Sequence, residues 1–242
     1  MNIDEKSELT ERILTSFFLF FIIIFCILVH SYVSLVALII IFVVSFKEFN
    51  LLINRAFKLK SSYHLSKRIR KENIRKGNIR EIIQVLSFLY LSLFAIISYA
   101  VIDVDRIYFI YILLICISSD IGGFVFGKTF GGKKLTKISP NKTISGSCGS
   151  FIFSVLPFFV FYNIYKNTDY FLYNNILFNI SLCLYLSLVC QLGDLFISYF
   201  KRLAKVKDTG RVLPGHGGLL DRIDGIVFAL PSYLLFGYFN FL

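Results

Sequence analysis

Seven apolar segments, each close to the length of a bilayer-spanning helix, constrain this chain more than any other feature. A helix crosses the hydrocarbon core with about 20 apolar residues. Hydrophobic residues make up 56% of the chain and charged residues only 17%, whereas soluble domains carry about 25% charged residues. The sequence therefore predicts an all-α, polytopic integral membrane protein with about seven transmembrane helices, organised as a single membrane domain over 1–242. The predicted spans are 14–30, 31–46, 82–102, 107–126, 148–165, 175–200 and 224–242.

The first two spans form one apolar run that is interrupted only at His30 and Ser31. The run is too long for one helix across the membrane and long enough for two short ones, so we expect a helical hairpin over 14–46. Residues 1–12 are mixed in charge and lack the basic region of a cleaved signal peptide. We therefore expect the first apolar segment to remain as a span.

Positive charge sets the expected orientation. With a cytoplasmic N-terminus, all but two of the 26 Lys and Arg residues fall in cytoplasmic regions, the exceptions being Arg106 and Lys166. This bias is what the positive-inside rule predicts, and it accounts for the net charge of +11 without a nucleic-acid partner. The basic cytoplasmic segment 47–81 is either an amphipathic helix on the inner leaflet or a loop that only sets topology.

Cysteine spacing argues against a metal or disulfide framework, because no CxxC pair occurs and all five cysteines lie in or beside apolar stretches. We expect buried thiols.

Two acidic residues lie inside predicted spans, Asp120 and Asp194. Such charges are costly in a bilayer and usually mark a functional cavity, although each could merely cap a helix or reach the interface. After Asp194, a hydroxyl and two cations follow with helical spacing, at Ser198, Lys201 and Arg202. Acidic and hydroxyl oxygens suit Mg²⁺, and the cations suit phosphate oxygens.

A polar loop with glycines and alternating charges follows this helix. Its glycines at 215, 217 and 218 allow backbone N–H groups to approach an anion. Its charged or titratable candidates are Lys207, Asp208, Arg211, His216, Asp221, Arg222 and Asp224. The pattern predicts a site for a metal ion with a polyphosphate, the alternative being a solvated loop.

The run from Ser198 to Asp224, SYFKRLAKVKDTGRVLPGHGGLLDRID, resembles the signature of phosphatidate cytidylyltransferases. A second segment, containing Asp120, Phe124–Lys128 and Ser139–Thr143, is similar to another part of that family. Ser145 departs from the family pattern, which has an acidic residue there. Glu48-Phe49 is a weaker similarity to a Glu beside an aromatic residue. The resemblance covers the catalytic core segments over about 118–225.

The resemblance implies an Mg²⁺-dependent enzyme of phospholipid biosynthesis that joins CTP to phosphatidic acid, giving CDP-diacylglycerol and pyrophosphate. It implies metal ligands at Asp194, Asp208, Ser198 and Asp224. It implies further catalytic groups at Asp221, Arg222, Lys201, Arg202 and Lys207. It implies substrate contacts at Arg211, Gly215, Gly217, Gly218, Lys142 and Ser139. We interpret His216 as a structural or phosphate-contacting residue rather than a general base, since phosphatidate is already ionised at neutral pH.

CTP, phosphatidic acid and membrane lipids are the expected partners, and a second cation and a homodimer are left open. The expected location is the inner membrane, with the active site facing the cytoplasm. Two alternatives remain: a CTP-dependent polyprenol or phytol kinase, and a non-enzymatic transporter or scaffold. A CDP-alcohol phosphotransferase is disfavoured because its Asp-x-x-Asp-Gly-x-x-Ala-Arg core is missing.

Overall fold

The computed structural model describes residues 21–61, 69–165, 176–213 and 217–240. Within these ranges the regular structure is helical, with two isolated β-bridges. The helices are α1 (Ser31–Ser61), α2 (Ile69–Val104), α3 (Arg106–Thr129), α4 (Ile144–Ser154), α5 (Leu156–Tyr165), α6 (Ile176–Leu203), α7 (Leu220–Ile223) and α8 (Ile226–Asn240). The predicted all-α class is confirmed.

Five segments in the described ranges are long and apolar enough to cross a membrane. They are Ser31–Lys58, Asn78–Val104, Arg106–Thr129, Ile144–Tyr165 and Ile176–Leu203, and they correspond to the second to sixth predicted spans. The chain is therefore a multi-pass membrane protein. The first predicted span lies partly outside the described residues and the last contains α8, so the count of seven stays a prediction.

Two helices extend well beyond the spans predicted from hydropathy. The helix predicted over 31–46 continues to Ser61, and the one predicted over 82–102 begins at Ile69. The described parts of the basic segment 47–81 thus belong to α1 and α2. The continuation of α1 is explained by an apolar stripe with helical spacing, because Phe49, Leu52 and Ile53 are all buried.

The helical residues 21–29 stop at His30, the position at which the sequence predicts a break. Helix α1 then begins, with the N–H groups of Val33 and Ser34 donating to the His30 carbonyl. The Nδ1 atom of His30 accepts from the N–H of Tyr32 at 3.4 Å, so its ring partly satisfies the open end of the helix. The hairpin over 14–46 stays a prediction because residues 14–20 lie outside the described ranges.

The chain divides into two compact units, and each is described by itself. Unit 1 comprises Met1–Asp103 and Phe200–Ile223, and unit 2 comprises Val104–Tyr199 and Asp224–Leu242. The expectation of a single membrane domain stays a prediction. In unit 1, the rings of Phe42, Phe46 and Phe88 pack edge to face between α1 and α2. Phe49 packs in the same manner on Phe200, with ring centroids 5.3 Å apart.

In unit 2, the backbones of α3 and α4 lie in close contact at their glycines. A Cβ atom at Gly149 would lie 2.4 Å from the Cβ of Phe126 and 2.6 Å from the carbonyl oxygen of Gly122. Only glycine allows the two backbones to come so close, which is the usual basis of tight helix pairs in membranes. Asp105 caps α3 by accepting from the N–H groups of Ile107 and Tyr108, at 2.9 and 3.0 Å.

Hydrogen bonds between polar side chains connect three helices of unit 2. The hydroxyls of Ser119 (α3) and Ser187 (α6) are 2.8 Å apart, and both residues are fully buried. Gln191 donates from Nε2 to Ser187 and accepts from the hydroxyl of Ser147 (α4). These bonds fix how α3, α4 and α6 are rotated about their axes, which apolar packing in lipid specifies poorly.

All five cysteines are free thiols. Cys116, Cys183 and Cys190 are buried as expected, whereas Cys26 is half-buried and Cys148 is exposed.

Candidate functional site

The first group of predicted site residues meets at the start of α7, within unit 1. Asp221 lies in the first turn of this short helix, and its Oδ1 atom is 2.8 Å from the Nζ of Lys201. The two side chains are 8% and 13% exposed. The Oδ2 atom of Asp221 accepts from the backbone N–H groups of Thr209 and Gly218, at 2.8 and 3.1 Å. Asp221 therefore ties the end of α6 to the α6–α7 loop, a name used here for the described residues 204–213 and 217–219.

A second carboxylate reaches the same loop from α1. Glu48 is 3% exposed, and it accepts three hydrogen bonds. Its Oε1 accepts from the N–H of Leu219 at 3.0 Å, and its Oε2 accepts from the N–H of Leu220 at 2.8 Å. The hydroxyl of Thr209 also lies 3.1 Å from Oε2. A buried carboxylate needs such donors, because an unsolvated charge without them is very costly.

Two glycines make room for this arrangement. A Cβ at Gly218 would lie 2.2 Å from the Thr209 hydroxyl and 2.6 Å from Oε2 of Glu48. A Cβ at Gly210 would lie 2.3 Å from Oε1 of Glu48. Any larger residue at either position would displace the carboxylate, so the predicted Gly218 serves close packing in this structure.

The other predicted loop residues are at the surface. Lys207, Asp208 and Arg211 are exposed, as are Arg202 and Arg222. Gly217 has a φ of +82°, and a Cβ there would lie 3.0 Å from the Cβ of Asp208. Gly217 thus adopts the left-handed conformation that favours glycine. Gly215 and His216 lie outside the described residues.

A second group of predicted site residues meets within unit 2. The Nζ of Lys142 lies 2.5 Å from Oδ2 of Asp194. The hydroxyl of Ser198, one turn along α6, donates to Oδ1 of Asp194 at 3.2 Å. The side chains of Lys142 and Asp194 are 26% and 30% exposed, so the pair is open to solvent on one side. Asp120 of α3 interacts electrostatically with both of these charges.

The loop before α4 delivers Lys142 to Asp194. The N–H of Leu135 donates to the carbonyl of Lys142 at 2.9 Å, and the N–H of Lys142 donates to the carbonyl of Ser139 at 3.1 Å. Thr143 caps α4 by accepting from the N–H of Gly146 at 3.1 Å. Ser145 hydrogen-bonds to the hydroxyl of Thr143 at 3.0 Å and donates to the carbonyl of Gly131.

Ser145 therefore ties the two ends of this loop together. That is the position at which the resemblance leads one to expect an acidic residue.

Asp224, the remaining predicted metal ligand, is 8% exposed. Its Oδ1 accepts from the N–H of Gly225 at 2.9 Å. No cluster of three or more His, Cys, Asp or Glu side chains arranged to hold a metal occurs among the described residues. Asp194 and Ser198 nevertheless supply two neighbouring oxygens, and Mg²⁺ usually takes only one or two protein ligands with substrate phosphates and water. This donor set fits Mg²⁺.

A family model matches most of the chain. The model describes the cytidylyltransferase family and matches residues 63–239. The chain belongs to the cytidylyltransferase family.

Proteins named phosphatidate cytidylyltransferase are similar to this family member. The protein of Staphylococcus haemolyticus (strain JCSC1435) is 44% identical over 130 residues. The protein of Staphylococcus aureus (strain COL) is 45% identical over 126 residues, and that of Staphylococcus epidermidis (strain ATCC 12228 / FDA PCI 1200) is 43% identical over 125 residues. Each match covers 51% of this chain and 46% of the relative, so the chain matches about half the length of these relatives.

Two residues that bond to the first group of site residues, Thr209 and Glu48, were not among the site residues predicted from the sequence. Thr209 is a neutral residue between charged ones, and Glu48 carries only a weak similarity to the family pattern. The available signal for Glu48 was an acidic residue two positions after a long apolar run, in a helix whose next apolar residues keep the same face.

Proposed function

We propose that this protein transfers the cytidylyl group of CTP to phosphatidic acid. In this reaction a phosphate oxygen of phosphatidic acid attacks the α-phosphorus of CTP. The bond between the α-phosphorus and the oxygen that bridges to the β-phosphorus breaks. The products are CDP-diacylglycerol and pyrophosphate, which carries away the displaced charge.

The observation that carries the proposal is membership of the cytidylyltransferase family over residues 63–239, together with relatives named phosphatidate cytidylyltransferase at 43–45% identity. The geometry is compatible with this chemistry. Phosphoryl-group chemistry depends on positioning and charge neutralisation rather than on a covalent nucleophile, and each of the two groups of site residues contains a lysine paired with a carboxylate.

In unit 2, Lys142 is the residue proposed to neutralise a phosphate of the substrate. Its ammonium group is already oriented by Asp194 at 2.5 Å, so little side-chain entropy is lost when an anion binds. Ser198 orients the other oxygen of the carboxylate. Ser139 belongs to the same loop through its carbonyl, which accepts from the N–H of Lys142.

In unit 1, the exposed side chains of the α6–α7 loop are proposed to contact phosphate groups. Lys207 and Arg211 supply positive charge, and Arg supplies donors in a fork that matches phosphate geometry. The buried side chains Lys201 and Asp221 hold this loop in place. We therefore interpret them as supporting groups for the loop.

In unit 2, Asp194 and Ser198 are proposed to hold Mg²⁺. The metal-ligand roles of Asp208 and Asp224 stay predictions from the sequence. A bound Mg²⁺ would supply neutralisation of the triphosphate and of the leaving pyrophosphate. The contribution of the chain itself is to hold a carboxylate and a hydroxyl within one helical turn.

The proposed location is the cytoplasmic face of the cell's inner membrane. CTP is dissolved in the cytosol and the acyl chains of phosphatidic acid lie in the bilayer, so their reactive groups meet at this interface. The distribution of Lys and Arg supports the orientation. A homodimer stays a prediction, which light scattering of the detergent-solubilised protein tests.

The experiment is turnover of CTP labelled with ³²P at the α-phosphorus, using purified protein, phosphatidic acid micelles and Mg²⁺. We expect label in the lipid phase and stoichiometric pyrophosphate, both formed about 10²–10³-fold more slowly by Asp194→Asn. Glu81→Gln is the matched control, because Glu81 is an exposed acid away from both clusters in the sequence.

Release of labelled CDP with a polyprenol or phytol acceptor would overturn the proposal in favour of the kinase. Absence of turnover with any of these acceptors would favour the transporter or scaffold.

A further inference from the structure

The α6–α7 loop is held by a residue from a distant part of the chain, Glu48 of α1. Its three hydrogen-bond donors come from two places in the loop region: Thr209 on one side, and Leu219 with Leu220 on the other. A single side chain therefore binds both ends of the segment from Thr209 to Leu220, which carries Arg211 and begins directly after Lys207 and Asp208. All of these residues belong to unit 1.

Only a carboxylate suits this position. Each of its two oxygens faces a backbone N–H, one from Leu219 and one from Leu220. A glutamine side chain has one acceptor and one NH₂ donor. Whichever way its amide was turned, a donor would face a donor, and that buried group would be left without a partner.

Thr209 connects Glu48 with a second carboxylate, that of Asp221. Its hydroxyl lies 3.1 Å from Oε2 of Glu48 and 3.0 Å from Oδ2 of Asp221, and the residue is 4% exposed. One hydroxyl thus connects the carboxylate from α1 with the carboxylate of α7. Since Gly210 and Gly218 leave no space between loop and carboxylate, the loop cannot shift without moving Glu48.

We propose that Glu48 is a positioning residue: through Thr209 and the N–H groups of Leu219 and Leu220, its carboxylate holds the α6–α7 loop in the conformation that presents Lys207 and Arg211 to CTP. The link to CTP rests on the proposed function. The link between Glu48 and the loop conformation does not.

The test compares Glu48→Gln and Thr209→Val with wild type, Thr209→Ser and Glu81→Gln in detergent. Thr209→Val removes the hydroxyl and keeps the shape, whereas Thr209→Ser keeps the hydroxyl. The first readout is the rate of trypsin cleavage after Lys205, Lys207 and Arg211, followed by mass spectrometry. Cleavage after Lys133, Lys134 and Lys137, in the other exposed basic loop, is the internal reference.

We expect cleavage in the α6–α7 loop to rise about tenfold in Glu48→Gln and in Thr209→Val, the effect of losing one hydrogen bond to a charged group. Cleavage at the reference sites should not change. In the double variant the increase should be smaller than the product of the two single increases, because both variants remove the contact between the Thr209 hydroxyl and Glu48. Circular dichroism checks that helicity is retained, and Thr209→Val carries the test if Glu48→Gln does not fold.

The second readout separates positioning from simple stability. In an active enzyme, KM for CTP should rise about tenfold in Glu48→Gln and Thr209→Val, with a smaller change in kcat, and Thr209→Ser should retain the wild-type KM. Unchanged loop cleavage in Glu48→Gln and Thr209→Val would overturn the inference while leaving the proposed function intact. Increased cleavage with an unchanged KM would overturn the link to CTP.

If the wild type shows no turnover while the cleavage pattern is as expected, the proposed function fails and the positioning role stands.

Discussion

The ammonium group of Lys142 lies 2.5 Å from Oδ2 of Asp194, so the loop before α4 and the C-terminal part of α6 meet at one ion pair in unit 2. The same carboxylate accepts from Ser198 through its other oxygen. The pair is partly open to solvent, with exposed fractions of 26% and 30%. It is therefore accessible to a charged ligand, and its contribution to folding stability is small.

Replacing either partner should remove activity without unfolding the protein. We expect Lys142→Met and Asp194→Asn each to lower turnover of CTP by about 10²–10³-fold, the cost of removing one preorganised charged group from a phosphoryl-transfer site. The double variant should be no slower than the slower single variant, because the two residues act as a unit. Lys137→Met, at an exposed lysine of the same loop, is the control and should keep its activity.

The ion pair between Lys201 and Asp221 should behave differently because it is buried, with exposed fractions of 13% and 8%. Asp221→Asn or Lys201→Met leaves one buried charge unpaired, which costs roughly 3–5 kcal/mol. The double variant should recover much of this stability and stay inactive. Chemical unfolding followed by far-UV circular dichroism measures the effect, since the chain has no Trp. Additive losses of stability in the double variant would contradict the prediction.

Close contact between α3 and α4 predicts strong sensitivity at Gly149. A Cβ there would overlap the Cβ of Phe126, at 2.4 Å. Gly149→Val should therefore lower the free energy of unfolding by about 1–3 kcal/mol through overpacking. Cys148→Val, at the exposed neighbouring position, should change it by less than about 0.5 kcal/mol. A similar effect at both positions would show that the loss does not arise from this contact.

Chelation tests the proposed metal. Turnover should stop when EDTA removes divalent cations and resume when Mg²⁺ is added in excess. Asp194→Asn and Ser198→Ala should raise the Mg²⁺ concentration needed for half-maximal turnover, because each removes an oxygen donor of a hard cation. Glu81→Gln should leave that concentration unchanged. Turnover that persists in EDTA would contradict the metal requirement.

The orientation in the membrane can be measured with a thiol reagent that does not cross the bilayer. In a Cys148→Ala background, Lys137→Cys should be labelled in inside-out vesicles and Val104→Cys in right-side-out vesicles. Val104 is 88% exposed and is the last residue of the span in α2. It precedes α3, whose other end leads into the basic loop. The reverse pattern would overturn the cytoplasmic placement of the Lys142 loop.

Hydropathy and spacing predicted much of this molecule. The five described spans lie at predicted positions, because a long apolar run has no other stable environment than lipid. Helix ends were predicted less well. Helix α1 continues to Ser61 because an apolar stripe follows the hydrophobic run, and the change from a lipid-facing to a protein-facing helix leaves only a weak pattern in the sequence.

The partners of the site residues were harder to predict than the residues themselves. Spacing on α6 correctly grouped Asp194 with Ser198, because residues four apart share a helix face. The pairing of Lys142 with Asp194 and that of Glu48 with Thr209 depend on how separate helices pack. Glu48 and Thr209 are 161 positions apart in the sequence. A single sequence does not show whether two residues with such a separation are close in space.

The long separation between Glu48 and its donors also sets the order in which parts of this protein can reach their final structure. A ribosome adds about 5–20 residues per second, so Glu48 is synthesised roughly 10–30 seconds before Thr209 and Leu220 exist. During that interval α1 carries an acidic group without the three donors that later surround it. The hydrogen bonds between Glu48 and the α6–α7 loop therefore form only after almost the whole of the described chain has been synthesised.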